Sequence, residues 1–266
     1  MDPDFGRLIR VELESNGVKV ITGQAVQSIK RRERSLLVQT ASGQTLIADM
    51  ILVATGVKAS NMLARTAGLA LGVAGAIRVN RIMETNVPNI LAAGDCAETW
   101  HSILKSNVYM PLGTTAHKQG RVAGENMVGG HREFQGSLGT QVVKVFNRIA
   151  AGTGLRDAQA VKAGFEPLTV GLTVLDRNTY YSEAKEMHIC ITGDRRTGRL
   201  LGAQIIGYRG SELAKRIDII ASAIFSNLQI ENLCDLDLSY TPPLSSPWDP
   251  VQKAAMQWCT TLDTKA

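Results

Sequence analysis

The sequence has no Cys-x-x-Cys pair, no Gly-x-Gly-x-x-Gly turn and no histidine after His188. Each absence removes a class of function. Without paired cysteines there is neither a zinc ribbon nor a local dithiol, since Cys96, Cys190, Cys234 and Cys259 are all far apart in the chain. The four histidines, His101, His117, His131 and His188, have no ligand spacing, so no metal site is expected. Without the glycine-rich turn, the chain lacks the usual backbone cradle for a dinucleotide pyrophosphate. No apolar run reaches the roughly 18 residues of a membrane span. The first fifteen residues carry Asp2, Asp4, Arg7, Arg10, Glu12 and Glu14, which is unlike a secretory leader. A cytoplasmic protein with no membrane partner is expected. Aromatic residues are only 5% of the chain, and none interleaves with the basic run Lys30-Arg31-Arg32 and Arg34. That run reads as a solvated turn, and nucleic acid is not an expected partner despite a net charge of +5.

What is present is ordinary globular material, 44% hydrophobic and 20% charged. Leu8, Ile9 and Leu13 share one face of a helix expected over 5–16, with Gly17 as its left-handed stop. A short strand is expected at 18–21. A small antiparallel meander follows over 25–30, 35–40 and 45–48, turning at Ser42-Gly43. The apolar runs 50–54 and 90–93 read as buried strands, and 111–129 as a helix. Strands are expected at 142–146, 168–175, 187–192 and 200–206, the last two joined by a hairpin turn at 193–198. Ser211 is expected to cap an amphipathic helix carrying Leu213, Ile217, Ile220 and Ile224. Asp249-Pro250 has the pattern of an N-cap followed by proline at the first helical position.

The most specific segment runs from Glu84 to Asp95 (ETNVPNILAAGD). A buried strand ends in a small residue, a glycine and a carboxylate. Ligands of open α/β sheets bind at the carboxyl ends of strands. There Gly94 permits close backbone approach and Asp95 can accept hydrogen bonds from sugar-like hydroxyls.

This segment resembles the second flavin-binding motif of the FAD-dependent pyridine nucleotide-disulfide oxidoreductases. The resemblance continues at Ile51 to Gly56, similar to the family's strand and turn between its two dinucleotide domains. Pro111 to Ala116, followed by Lys118-Gln119-Gly120-Arg121, is similar to the helix that faces the flavin ring. Gly139-Thr140, Lys144 to Phe146 and Thr153 to Leu155 are similar to the opening of the dimerisation domain. The resemblance implies FAD and NAD(P)H as cofactors. It implies cofactor contacts at Thr55, Gly56, Gly94, Asp95, Leu112, Thr114, Thr115 and Ala116. The first turn of that helix would also favour the negative charge of a reduced flavin, whereas a blander reading makes Thr114 or Thr115 only an N-cap.

Glutathione-reductase-like members carry a C-terminal His and Glu pair, and residues 189–266 have no histidine. The segments Asp237 to Pro243 and Trp248 to Val251 instead resemble the coenzyme A-disulfide reductase and NADH oxidase branch. That branch uses a single N-terminal cysteine, reached by tyrosines of the partner subunit. Tyr240 matches one such tyrosine and Tyr181 another, which makes them the catalytic candidates; Tyr240 has the blander alternative of anchoring the tail beside Pro242 and Pro243. Cys259 reads as an isolated helix thiol.

The resemblance implies an α/β fold with partial NAD- and FAD-binding Rossmann-like domains, then a C-terminal α+β dimerisation domain with an antiparallel sheet. The expected boundaries are 1–80, 81–134 and 135–266. The function implied is the C-terminal part of a flavoprotein oxidoreductase. Such an enzyme passes electrons from NAD(P)H through FAD to a cysteine-based disulfide, a persulfide, a peroxide or oxygen. A homodimer is expected. Because both glycine-rich motifs and the redox cysteine are missing, the chain is expected to be inactive alone, with a separately encoded N-terminal half as a candidate partner. A non-catalytic dimerisation module is the alternative.

Overall fold

A computed structural model describes residues 1–264. Two compact units are present, Leu13–Val57 and a larger one made of Met1–Glu12 with the chain from Lys58 onward.

In the smaller unit, β1 (Val26–Arg32), β2 (Ser35–Thr40) and β3 (Thr45–Ala48) form the expected antiparallel meander in the order β1-β2-β3. Gly43 takes φ 85°, a turn conformation that disfavours any residue with a Cβ. The basic run is exposed, and Lys30, Arg31 and Arg32 lie on β1 rather than in its turn. The segments 18–21 and 50–54 do not form strands. Met50 and Leu52 are 84% and 88% exposed, so this apolar run is not the buried strand its composition suggested. The reason is geometric: a strand exists only through a neighbour's ladder, and no described strand pairs with these residues.

In the larger unit, α2 (Met62–Thr66) is followed by a small hairpin of β4 (Thr99–His101) and β5 (Ser106–Val108), then α3 (Gly113–Met127). Residues 90–93 form no strand beyond one bridge between Leu91 and Glu84, again for want of a neighbouring ladder. The core is a five-stranded sheet: β6 (Gln141–Val145), β7 (Arg148–Gly154), β8 (Pro167–Leu175), β9 (Glu186–Asp194) and β10 (Leu200–Tyr208). The strands are antiparallel in the order β6-β7-β10-β9-β8. A short helix, α4 (Asp157–Lys162), precedes β8.

Side-chain alternation gives the sheet two faces. Met187, Ile189, Ile191, Leu201, Ala203 and Ile205 meet α5 (Leu213–Phe225), α6 (Ile230–Cys234) and α7 (Pro250–Asp263). On the other face, Ala150, Cys190 and Ile206 pack under Phe5 of α1 (Pro3–Ser15). Asp2 fastens the start of α1 to that face through its backbone N–H to Gln204 Oε1 at 2.8 Å. Gly193 sits where a Cβ would lie 2.7 Å from the Trp258 ring, which explains a glycine inside a strand. The Trp258 indole then donates to the Leu168 carbonyl at 2.8 Å, tying α7 to the sheet.

β7 is a strand that the residue pattern does not announce, because its alanines and glycines carry no alternating bulk. Ser211 does not cap α5: the cap position is Glu212, at φ 50°. Asp249 caps α7 as expected, accepting from Val251 N–H at 3.0 Å, while Gln252 reaches back to the Asp249 N–H at 3.2 Å. Among the described residues no helix is long and apolar enough to cross a membrane.

Candidate functional site

Two groups of the expected site residues come together within the larger unit. The first is the turn at Gly94-Asp95 and the start of α3. Gly94 takes φ 84°, and a Cβ there would lie 3.7 Å from that of Ala116. Gln119, buried one turn further along α3, locks the two pieces. Its side-chain oxygen accepts from Gly94 N–H at 2.9 Å and its amide donates to the Glu98 carbonyl at 2.9 Å. Asp95 is left exposed beside this junction.

The first helical bond of α3 runs from Ala116 N–H to the Leu112 carbonyl, so the N–H groups of Gly113, Thr114 and Thr115 have no partner in the helical ladder. Leu112 occupies the cap position and no side chain caps the helix. The blander reading of Thr114 or Thr115 as an N-cap is therefore corrected. Thr115 is buried, its hydroxyl 3.0 Å from that of Ser137, and Thr114 is exposed. This first turn also lines a cleft of about 1140 Å³ whose far wall is α5. Asp95 does not line the cleft, so the cleft and the Gly94-Asp95 turn are separate features. Thr55 and Gly56 belong to the smaller unit, both exposed, with Gly56 at φ 93°.

The second group is aromatic. Asn178, in the loop between β8 and β9, donates to the hydroxyl of Tyr180 at 3.1 Å and to that of Tyr240 at 3.0 Å. The rings of Tyr180 and Tyr181 are 5.0 Å apart. Tyr240 therefore meets the tyrosine pair through Tyr180 and Asn178, two residues that the motif reading passed over. Asn178 and Tyr240 are 62 residues apart, and no local pattern signals the contact.

Both tyrosine-bearing segments are pinned by one buried arginine. Arg216 pairs with Asp249 at 3.1 Å and donates to the Asp176 carbonyl at 3.0 Å and to Ser245 Oγ at 3.4 Å. It also donates to the Ser211 carbonyl. Asp176 closes the base of the 176–185 loop by accepting from Arg177 at 3.1 Å and Lys185 N–H at 3.0 Å. Burial alone would raise the Asp176 carboxyl, but these hydrogen bonds outweigh it and hold the group below its ordinary range.

None of the perturbed thiols is activated. Burial pushes Cys190 and Cys234 up to about 11 and raises Cys259 as well, so all three are neutral thiols near pH 7. Cys259 is not isolated in space, however: it lies close to Cys234 on the neighbouring helix. Cys96 donates to the Ala93 carbonyl at 3.4 Å, inside the Gly94-Asp95 turn.

His101 is buried on β4, its Nδ1 accepting from the N–H groups of Ile103 at 3.2 Å and Leu104 at 3.4 Å. Burial lowers its pKa from 6.5 to about 4. The folded state thus refuses a proton that the unfolded chain accepts between those values. Stability is full above about pH 6.5 and falls as the pH drops toward 4, by roughly 2–3 kcal/mol. His101→Asn keeps an acceptor and cannot titrate. We expect its denaturant midpoint to fall less steeply over this window; parallel pH curves for the two proteins would exclude His101 as the cause.

Comparison with known proteins extends these observations. The family model for pyridine nucleotide-disulphide oxidoreductases matches residues 1–120, and that of the dimerisation domain of the same family matches 140–250. An NAD(P)H sulfur oxidoreductase (CoA-dependent) of Pyrococcus furiosus is 38% identical over 224 residues, which cover 84% of this chain and 50% of that protein. An NADH oxidase of Methanocaldococcus jannaschii is 34% identical, over 100% of this chain and 58% of the relative. The solved structure of an NAD-dependent persulfide reductase from A. fulgidus superimposes with a TM-score of 0.91 at 37% identity, over 97% of this chain and 47% of that one. The chain thus spans about half the length of the relatives it matches.

Proposed function

Because the chain belongs to the pyridine nucleotide-disulphide oxidoreductase family, we propose that it forms the ribityl and ring end of an FAD site and the acceptor-side tyrosines of an NAD(P)H-dependent oxidoreductase. The observation that carries this reading is the junction locked by Gln119. It sets an exposed carboxylate beside an uncapped helix start. The fit to a flavin is chemical. Asp95 accepts from ribityl hydroxyls, and the open N–H groups of Gly113, Thr114 and Thr115, with the positive end of the helix dipole, favour an electron-rich ring edge. Gly94 admits close approach. Leu112 and Ala116 supply apolar contact. Thr55-Gly56, in the smaller unit, is assigned to cofactor binding by the family resemblance alone. When bound, FAD supplies the two-electron relay between NAD(P)H and the acceptor.

Tyr240 and Tyr181 are assigned to the acceptor, a cysteine-based disulfide, persulfide, peroxide or oxygen. A phenol there donates a hydrogen bond to a sulfur or oxygen anion and can supply its proton. The cysteine itself would come from a part of the enzyme outside this sequence, in keeping with the neutral thiols found here; that part could be a separately encoded N-terminal half. We assign the region 135–266 to pairing with a second copy. Leu244 and Trp248, more than half exposed beside Tyr240, support this surface. Sedimentation as a monomer at micromolar concentration would count against it.

The test is flavin affinity. The isolated chain should bind FAD weakly, because the pyrophosphate cradle is not in its sequence. In the flavin-loaded assembled protein, Asp95→Ala should weaken retention about 10–100-fold, the loss of charge-assisted hydrogen bonds worth about 1.5–3 kcal/mol, with the thermal midpoint of the apoprotein unchanged. Equal flavin affinity in the two proteins would remove Asp95 from the site. A protein that pairs but never takes up flavin would favour the non-catalytic module.

A further inference from the structure

We propose that Asn178 is a positioning residue: its amide forks to the hydroxyls of Tyr180 and Tyr240 and presents their O–H groups as a pair to one anionic sulfur or oxygen. This proposal rests on the acceptor-side role given to Tyr240 above, and adds Asn178 and Tyr180 to it.

The geometry begins at the base of the loop. Asp176, buried and bonded to Arg177 and Lys185, closes 176–185 into a tight loop, and Arg216 fastens its carbonyl to the interior. Within the loop, the Asn178 carbonyl accepts from Tyr181 N–H at 3.1 Å, which fixes where the asparagine stands. Its side-chain nitrogen then lies 3.1 Å from one phenol oxygen and 3.0 Å from the other.

A primary amide has two N–H groups, one for each phenol. Each phenol oxygen is thereby an acceptor from nitrogen. Its own hydrogen is left to rotate outward, toward an incoming anion. An N–H donor also polarises the O–H it meets and stabilises the phenolate. The result is a small cluster of polarised donors on an exposed face, suited to a thiolate or a hydroperoxide anion rather than to a cation or an apolar group. The Tyr180 phenol is held above its ordinary value by desolvation first and then by Tyr240 and Tyr181, while the Asn178 amide pulls the other way. Removing the amide should therefore let the Tyr180 phenol rise further.

The experiment needs no cofactor. The five tyrosines of the chain are titrated by tyrosinate absorbance, and the contributions of Tyr180 and Tyr240 are identified by their loss in Tyr180→Phe and Tyr240→Phe. Asn178→Ala, or Asn178→Ser if the alanine variant does not fold, should raise the Tyr180 midpoint by about 0.5–1 pH unit. An unchanged or lowered midpoint overturns the proposal, since it would mean that the amide does not donate to the phenols. In the assembled flavoenzyme, the same variant should slow acceptor reduction and move the alkaline limb of its pH profile upward, with flavin reduction by NAD(P)H unaffected. If the midpoint shifts but Tyr240→Phe leaves acceptor reduction unchanged, the fork stands and the acceptor-side role fails. If Tyr240→Phe slows acceptor reduction but Asn178→Ala does not, the positioning role fails alone.

Discussion

Replacing Arg216 by alanine is expected to destabilise the protein by about 3–5 kcal/mol, the cost of leaving a buried carboxylate without its partner. Arg216 and Asp249 are 2% and 3% exposed, and among the described residues nothing else charged is bonded to the Asp249 carboxylate. Asp249 is doubly committed, because the same carboxylate caps α7 through Val251 N–H. The loss should therefore spread in two directions. The start of α7 should fray, and the 176–185 loop should come away from the interior along with the Asp176 carbonyl. Denaturant unfolding reads the magnitude, and limited proteolysis reads the place, with new cleavage expected between 236 and 248. The double variant Arg216→Met with Asp249→Asn removes both charges and keeps a capping side chain. It should recover a large part of the loss, because a neutral pair no longer strands an ion. A single variant that unfolds at the native midpoint would show that water reaches Asp249, and would dismiss this pair as the anchor of the tyrosine segments.

The second large effect concerns chemistry. In the flavin-loaded assembled enzyme, Tyr240→Phe is expected to slow reduction of the sulfur or oxygen acceptor by roughly 10²–10⁴-fold, the usual worth of a positioned general acid. Flavin reduction by NAD(P)H should be nearly untouched. The substitution removes one oxygen from a side chain already 44% exposed, so it leaves the packing intact. Pro242 and Pro243 hold the following backbone in an extended path whether or not the hydroxyl is present. Stopped-flow measurement separates the two half-reactions. Equal slowing of both would make Tyr240 a structural residue, and no slowing of either would make it only an anchor for the tail.

These two expectations differ in how they could be reached from the residues. Tyr240 was legible because it sits in a local motif, Ser239 to Pro243. The Gly94-Asp95 turn was legible for the same reason, as were the β1-β2-β3 meander, the β9-β10 hairpin and the Asp249-Pro250 start of α7. In each case the information lies within a short contiguous stretch of chain, where turn chemistry, capping and side-chain alternation act over short distances. Arg216 offered no such signal. It sits in an apolar helix among Leu213, Ile217 and Ile220, and its partner lies 33 residues away. The forked contact of Asn178, the meeting of Cys234 with Cys259 and the burial of His101 are alike in this: each depends on a neighbour brought in by the chain path.

The apolar runs 50–54 and 90–93 mark the same limit from the other side. Their composition specifies a preference for burial, but a strand also needs a ladder, and the ladder belongs to another part of a fold. By itself the sequence determined the family, the Gly94-Asp95 turn, most of the antiparallel sheet and the cap of α7, because these are written in contiguous residues. Only the tertiary structure decided which tyrosine meets Tyr240, what Arg216 holds, and which apolar segments find cover. The physical reason is that hydrogen bonds and burial are satisfied in space, and spacing along the chain does not encode them.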